Sequence, residues 1–452
     1  MSRNEEYAAL LAELEHPPKA LELTVEKARN RETVSRKKRR LFGIPAGSLA
    51  ACFLGFMLLV NLFPPFARAC GNVPVLRELA KAVAWSPSLS AAVENEYVQP
   101  IGQSQTVNGI TATIQYVIVD QKQLNIFFTL DSDAYDNLST ELPVFTPEQV
   151  CSTIGSDWRQ PPGTLLNYTL DYGDHDVPDR LTMTFGVTTY VEPDRSTEPA
   201  SVYEDDLLAP VEREEPDILA EFTFTLEFDP QFTARGEIIP VNRTFDLDGQ
   251  TMTITEAEVY PTHVRINVEG VPENTAWLKD LDFYLENQDG ERFDPISNGV
   301  SASGDTDSPA NTGFRLESPY FADSKHLTLH ITGAVWLDKD MERVRLDLAN
   351  QTAERLPEGV TLEKADLRDG GWVLTFRVKQ RRENYVHQVW STVFYDEAGT
   401  QYESGRRGSS TDGTGYTEEM MPLPDYTEGE VWLEPVYSRT VRLETPVTIP
   451  IK

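Results

Sequence analysis

The longest apolar run in the chain covers residues 41–60, where twenty consecutive positions carry no charged side chain. At about 1.5 Å per residue, a helix of this length crosses the ~30 Å hydrocarbon layer of a membrane. A basic cluster precedes the run and marks the cytoplasmic side of the membrane; it consists of Arg36, Lys37, Lys38, Arg39 and Arg40. The pattern predicts a transmembrane helix within residues 41–63, in contact with membrane lipid, with the N-terminus in the cytoplasm and the C-terminal bulk outside the cell.

A cleaved signal peptide is the alternative for this run, because Ala67, Arg68 and Ala69 resemble a cleavage site. The 40 residues before the run are, however, far longer than the basic start of a signal peptide. The apolar run is also longer than the apolar part of such a peptide. We therefore expect the helix to be retained as an anchor.

Small residues recur on one face of the predicted span, at Gly47, Ala51 and Gly55. Such spacing lets two membrane helices approach closely, so a homodimer formed through the span is one hypothesis. The alternative is that glycine and alanine are simply frequent in membrane helices.

The cytoplasmic segment, residues 1–40, shows helical periodicity on both sides of Pro17 and Pro18. The two predicted helices are too short to be stable alone in water. Their shared apolar stripe therefore predicts a protein partner, and the stripe consists of Leu10, Leu11, Leu14, Leu21 and Val25. An amphipathic pair resting on the inner leaflet is the alternative.

Beyond the span the pattern changes. Residues 64–100 predict a juxtamembrane helix followed by a linker, and the rest of the chain alternates apolar and polar positions as half-buried antiparallel strands do. Clear examples are "FTFTLEF" at 222–228, "VRINV" at 264–268 and "LTLHI" at 327–331.

Three repeated units are visible in this β-rich part. "VNGITATI" at 107–114 resembles "LDGQTMTI" at 247–254 and, more weakly, "PEGVTLEK" at 357–364; "VWLDKDMERVRL" at 335–346 resembles "VWLEPVYSRTVRL" at 431–443. Asn-Gly and Asp-Gly pairs predict type I′ hairpins. We therefore predict a mainly β fold of tandem immunoglobulin-like β-sandwiches. The predicted units are residues 101–240 with an acidic insertion at 190–217, residues 241–350, and residues 351–452. Trp336 and Trp432 are predicted core anchors.

Charge is distributed unevenly. Residues 1–40 carry 10 basic and 7 acidic side chains, whereas residues 41–452 carry 30 basic and 65 acidic ones. This asymmetry fits a basic membrane-proximal tail and an acidic exported body, and it argues against nucleic acid as a partner. Three cysteines do not make a disulfide framework, and whether Cys70 and Cys151 pair is left open.

Catalytic motifs are not evident in the sequence. It contains no G-x-S-x-G, P-loop, H-E-x-x-H or C-x-x-C pattern, so we expect neither an enzyme nor a bound cofactor. The one candidate for a metal is "DYGDHDVPD" at 171–179, where oxygen ligands for Ca²⁺ come from Asp171, Asp174, Asp176 and Asp179. The spacing differs from an EF-hand loop, and an acidic chain also produces such clusters by chance.

The layout resembles a family of single-span membrane proteins of Firmicute-type bacteria, whose outer domains have no known function and which are often encoded beside extracytoplasmic-function sigma factors. The resemblance rests on "LAELEHPPKALELTVEKAR" at 11–29, "FPPFARACGNVPVLRELAKAV" at 63–83, residues 96–128, and "LDGQTMTITEAEVYPTHVRINVEG" within 241–350. It implies an envelope sensor or regulator, similar to an anti-sigma factor, whose cytoplasmic helices bind a sigma factor.

The chain departs from standard anti-sigma factors because it carries no zinc-binding motif of that type. We expect release of the partner to follow proteolysis of an exposed region around residues 66–100. The alternative function is a cell-surface adhesion or cell-wall-binding protein that uses its tail only as an anchor.

Overall fold

The computed structural model describes residues 74–147, 152–155, 161–189, 207–208, 217–233, 235–297, 300–304, 308–380, 388–411 and 413–452. Helix α1 (Pro74–Ala82) and helix α2 (Pro87–Glu94) open this part of the chain, and strands follow in several antiparallel sheets. Among these residues no helix has both the length and the apolar character that a membrane crossing needs. The predicted span, the cytoplasmic segment, Cys70 and Cys151 lie outside the described residues.

The first sandwich is built from nine strands. They are β1 (Gln99–Val107), β2 (Ile110–Val119), β3 (Gln123–Ser132), β4 (Ser139–Thr140), β5 (Val144–Thr146), β6 (Ser152–Gly155), β7 (Leu166–Asp171), β8 (Arg180–Thr188) and β9 (Ala220–Glu227). One sheet has the order β1-β2-β3-β7-β6, and the other joins β4, β5 and β9 to β8. A 3₁₀ turn at Pro230–Phe232 follows.

The second and third sandwiches contain the remaining strands. They are β10 (Glu237–Leu247), β11 (Gln250–Val259), β12 (Val264–Gly270), β13 (Ala276–Asn287), β14 (Arg292–Phe293), β15 (Ala302–Gly304), β16 (Asn311–Leu316), β17 (Leu327–Asp338), β18 (Val344–Asp347), β19 (Thr352–Ala353), β20 (Val360–Arg368), β21 (Gly371–Lys379), β22 (Trp390–Tyr395), β23 (Gln401–Glu403), β24 (Gly408–Thr411), β25 (Tyr416–Pro424), β26 (Glu430–Pro435) and β27 (Arg439–Pro450). A second 3₁₀ turn, Lys339–Met341, links β17 to β18.

The repeated units share one sheet topology. The order β1-β2-β3-β7-β6 recurs as β10-β11-β12-β16-β15, and the third sandwich has β20-β21-β25-β24. The predicted hairpin turns are confirmed, because Asn108 and Gly109 have φ of 50° and 79°, and Asp248 and Gly249 have φ of 56° and 74°. Positive φ at both central residues is what a type I′ turn requires.

The last strand of each of the two later repeats pairs with the other repeat. In the first sandwich, β9 pairs with β8, the strand before it. By contrast, β18 pairs with β26 of the third sandwich, and β27 pairs with β17 of the second. The second and third sandwiches therefore exchange their closing strands within one chain, as domain-swapped subunits do between chains.

The exchange corrects the predicted boundary between residues 350 and 351. That boundary separates two repeats in the sequence, but the folded second sandwich also needs β27, while β18 belongs to the third. The third sandwich is thus inserted between β17 and β27 of the second. In the first sandwich the acidic insertion occupies the corresponding place, between β8 and β9.

Each sandwich encloses one apolar core between its two sheets. Trp336 is fully buried in the second core, as predicted. The prediction for Trp432 is wrong: alternation along β26 places its neighbours Val431 and Leu433 in the third core and turns Trp432 to the other face, where it is half-buried. Trp390 is the fully buried tryptophan of that core instead.

Strand exchange makes a testable prediction about Ile449, which lies in the third repeat but is buried in the second core. We expect Ile449→Ala to destabilise the chain by about 2–4 kcal/mol because it leaves a cavity. Hydrogen exchange should show the loss in β13 and β17, whereas β21 and β25 keep their protection. Thr448→Ala, at an exposed neighbouring position, is the control. Loss of protection confined to β21 and β25 would contradict the exchange.

Candidate functional site at the junction of the first two sandwiches

Two equivalent turns meet where the first sandwich contacts the second. One joins β2 to β3 and the other joins β11 to β12, and each is closed by the same backbone hydrogen bond: Asp120 N to Gln123 O, and Tyr260 N to His263 O, both at 2.9 Å. The repeat therefore places the same local structure on both sides of the junction, and the side chains at the turns determine what holds it together.

Asp120 is the central acceptor of this junction and is fully buried. Its Oδ1 accepts hydrogen bonds from the backbone N–H groups of Lys122 and Gln123, both at 2.9 Å. Its Oδ2 accepts from Thr262 in the second sandwich, at 3.0 Å from the backbone N–H and 2.6 Å from the hydroxyl. One buried carboxylate thus shapes its own turn and fixes the opposite one, and bonds to a charged acceptor are the stronger kind.

His263 lies beside this contact and is fully buried. Its Nδ1 is 2.9 Å from the hydroxyl of Thr262, and its Nε2 has no hydrogen-bond partner in the described part of the chain. Burial lowers the pKa of His263, because a charged imidazolium would lose its hydration there. The charged groups that act on the ring are Asp120, Glu258, Arg265 and Glu317.

Three of the four aspartates proposed for calcium pair with cations. Asp171 forms a buried ion pair with Arg315 of β16, Asp174 lies 2.6 Å from Arg265 of β12, and Asp176 lies 2.7 Å from Lys122. Asp179 is exposed. In the described residues no group of three or more acidic, histidine or cysteine side chains converges as a metal site would. The four proposed calcium ligands are therefore not brought together: Asp171 and Asp174 attach the first sandwich to arginines of the second, and Asp176 pairs within the first sandwich.

The Asp171–Arg315 pair is the most buried charge pair of the junction, with side-chain exposures of 4% and 2%. Burial lowers the pKa of Arg315 to about 10, while the negative charge of Asp120 opposes that shift. Arg265 lowers the pKa of the Asp174 carboxyl, because it donates a hydrogen bond to that carboxyl and carries the opposite charge. Both arginines therefore neutralise carboxylates across the interface.

The helical pair is part of the same junction. Ser86 caps α2 with its side chain, which accepts from the Leu89 N–H, and Pro87 stands at the first helical position. Glu317 of the second sandwich accepts from the Ser88 N–H at 2.8 Å and also bonds the Ser88 hydroxyl. A carboxylate at this end of a helix is favoured by the helix dipole. On the apolar side, Leu79, Val83, Leu89 and Ala92 pack on Ile118 and Phe127 of the first sandwich.

This packing corrects the expectation for residues 64–100. The part from residue 74 onward holds two helices rather than one helix and a linker, because Ser86 and Pro87 start a second helix at once. Four of its apolar side chains are fully buried, so the described part is not an open site for proteolysis. The other predicted site residues, which are the cytoplasmic stripe, the basic cluster and the small-residue face of the span, lie outside the described residues.

Comparisons with known proteins match two segments of the chain. Residues 36–132 match the model of a domain of unknown function (DUF4179), and residues 236–357 match that of a family of unknown function (DUF5643). No curated protein matches the sequence. Among solved structures, the crystal structure of the conserved domain protein from Bacillus anthracis is similar with a TM-score of 0.37 and 13% identity, covering 57% of this chain and 85% of that one.

The ion pair at the junction predicts a large effect for Asp171→Asn, which leaves buried Arg315 without the carboxylate that it pairs with directly. We expect about 3–5 kcal/mol of destabilisation, measured by urea unfolding of the full chain. Asp179→Asn removes an exposed carboxylate from the same acidic stretch and should change stability by less than about 0.5 kcal/mol. Equal effects of the two substitutions would contradict the structural role of Asp171.

His263 predicts a pH dependence whose sign follows from its lowered pKa. Because the unfolded state binds the proton more readily, stability is full above about pH 6.5 and falls below it, by up to about 1.4 kcal/mol per pH unit. The lowered pKa of Asp174 acts only at more acidic pH. Urea midpoints between pH 7.5 and 5.5 should therefore flatten in His263→Gln and stay steep in His326→Gln, an exposed histidine. A steep profile in both variants would exclude His263 as the source.

Proposed function

We propose that this chain is a single-pass, membrane-anchored regulator of the cell envelope. Its β-sandwiches, of the immunoglobulin-like kind, lie outside the cell, and residues 1–40 bind a cytoplasmic sigma factor in the manner of an anti-sigma factor. The apolar stripe Leu10, Leu11, Leu14, Leu21 and Val25 forms the contact with that partner, and the basic cluster before the span sets the orientation.

The observation that carries the proposal is that the helical pair, α1 and α2, lies in the junction between the first two sandwiches. The chain that follows the predicted span enters α1 and α2 directly, and Glu317 of the second sandwich holds the start of α2. A change in the contact between the first two sandwiches therefore acts on the chain next to the membrane. A protein that served only as an adhesive surface would not need its membrane-proximal helices inside the junction of its domains.

The extent of one family match agrees with the arrangement of parts in this proposal. The match over residues 36–132 runs from the basic cluster, through the predicted span, to β3 of the first sandwich. That family is commonly linked to proteins similar to anti-sigma factors. A family model that spans all these parts supports one unit in which the membrane segment and the first sandwich act together.

The test is retention of sigma factors by the full-length chain purified from native membranes in detergent. We expect the wild-type protein to retain one sigma factor. Leu10→Asp combined with Leu14→Asp should lower retention at least 10-fold, because charges replace the apolar contact. Glu13→Gln, in the same segment but outside the stripe, should retain the partner like the wild type.

Two results would contradict the proposal. One is a wild-type chain that retains no sigma factor while an established pair is retained in parallel. The other is a reporter fused after Lys452 that proves to be cytoplasmic, because the predicted orientation then fails. Binding of the chain to purified cell walls without any retained sigma factor would favour the adhesion alternative.

A further inference from the structure

A contact between the first and third sandwiches is made by two residues of the acidic insertion. Leu207 is 5% exposed, and Leu208 beside it is half-buried. Neither residue belongs to the apolar core of the first sandwich. Their neighbours belong to the third sandwich: Gly405 before β24 and Gly408 in β24 lie beside Leu207, and Gly370 between β20 and β21 lies beside Leu208.

The surface that receives Leu207 is lined by glycines. A Cβ built on Gly405 would lie 2.9 Å from the Leu207 carbonyl oxygen and 3.2 Å from Pro422. A Cβ on Gly408 would lie 3.8 Å from Cδ2 of Leu207 and 2.8 Å from the methyl group of Met420. The groove thus exists because side chains are missing at both glycines, and it ends on Met420 and Pro422.

The loop that forms one wall of this groove is fixed by hydrogen bonds and an ion pair within the third sandwich. Arg407 donates to the carbonyl oxygen of Trp390 at 2.6 Å and to that of Ser391, and it pairs with buried Glu419 at 3.6 Å. The backbone N–H of Gly405 donates to the Pro422 carbonyl at 3.2 Å. These bonds fix the loop without using Leu207, so the third sandwich supplies the wall of the groove by itself.

The acidic sequence around Leu207 and a basic residue beside the groove have opposite charges. Residues 190–217 contain ten acidic and two basic side chains, and Glu204, Asp205 and Asp206 directly precede Leu207. Arg406, next to Gly405, is exposed at the rim. In a strongly acidic chain, an exposed arginine beside the groove favours a ligand whose sequence is acidic around its anchor.

We infer that the third sandwich carries a docking groove for a leucine that lies within an acidic stretch of sequence, and that Leu207 of this chain, which lies in a turn, occupies it in cis. The groove is lined by Gly405, Gly408, Met420 and Pro422. Leu207 is thus an intramolecular ligand of the third sandwich, and it is displaced by a segment of the same chemistry. The inference is independent of the proposed sigma-factor function.

A fluorescent peptide of residues 201–213 tests the inference against the full-length chain. We expect the Leu207→Asp chain, in which the groove is open, to bind the peptide at least 10-fold more tightly than the wild type. Leu142→Asp, which changes an exposed leucine of the same sandwich, should behave like the wild type. Adding Gly408→Val to Leu207→Asp should abolish binding, because the new side chain fills the anchor position.

Hydrogen exchange in β24 and β25 gives a second readout. Protection there should fall in the Leu207→Asp chain and return when the peptide is added in excess. A peptide that itself carries Leu207→Asp should restore nothing. Equal peptide binding by the wild type and Leu207→Asp, binding that survives Gly408→Val, or no binding to the open groove would each overturn the inference.

Discussion

The reciprocal pairing of β18 with β26 and of β27 with β17 is the constraint on which the larger part of the molecule depends. Neither sandwich can complete its sheets without a strand from the other repeat. Polar contacts also join the start of β27 to the end of β17. The Ser438 N–H donates to the Trp336 carbonyl at 2.7 Å, and Arg439 lies 3.0 Å from Asp338. Short connections keep the entropy lost on closing this arrangement small.

The first sandwich is attached by a different physical means. None of the described strands crosses to it, and the contact is carried instead by Asp120, Asp171, Arg265, Arg315 and Glu317. Buried charges contribute little net stability, but a charge left unpaired is costly. Such an interface therefore accepts one arrangement and penalises others. The buried neutral ring of His263 at its centre makes the arrangement sensitive to protonation.

The sequence predicted the local structure well and the long-range pairing poorly. Alternation identified β9, β12 and β17, and the Asn-Gly and Asp-Gly pairs located two hairpins, because both signals depend on neighbouring residues. The exchange could not be predicted: "VRL" in β18 and "VRL" in β27 present the same pattern, so either fits the edge beside β17 or β26.

The junction escaped prediction for a related reason. Arg265 and Arg315 stand at polar positions of alternating strands, where a charged side chain normally faces water. Their burial follows from a second sandwich meeting that face, which local pattern does not encode. A usable signal was present in "DYGDHDVPD", but it was assigned to a metal ion because carboxylate oxygens suit calcium as well as arginine.

Three contacts connect the three sandwiches to one another in a ring. Polar contacts join the first sandwich to the second, exchanged strands join the second to the third, and Leu207 joins the third back to the first. In such a ring, a sandwich can reorient only after one of the three contacts is broken. The Leu207 link is one apolar side chain, whose burial is worth about 1.5–3 kcal/mol, whereas the junction of the first two sandwiches combines several buried hydrogen bonds and ion pairs with the apolar packing of the helical pair. The Leu207 link therefore opens first, and the first sandwich with its helices then becomes free to move relative to the third.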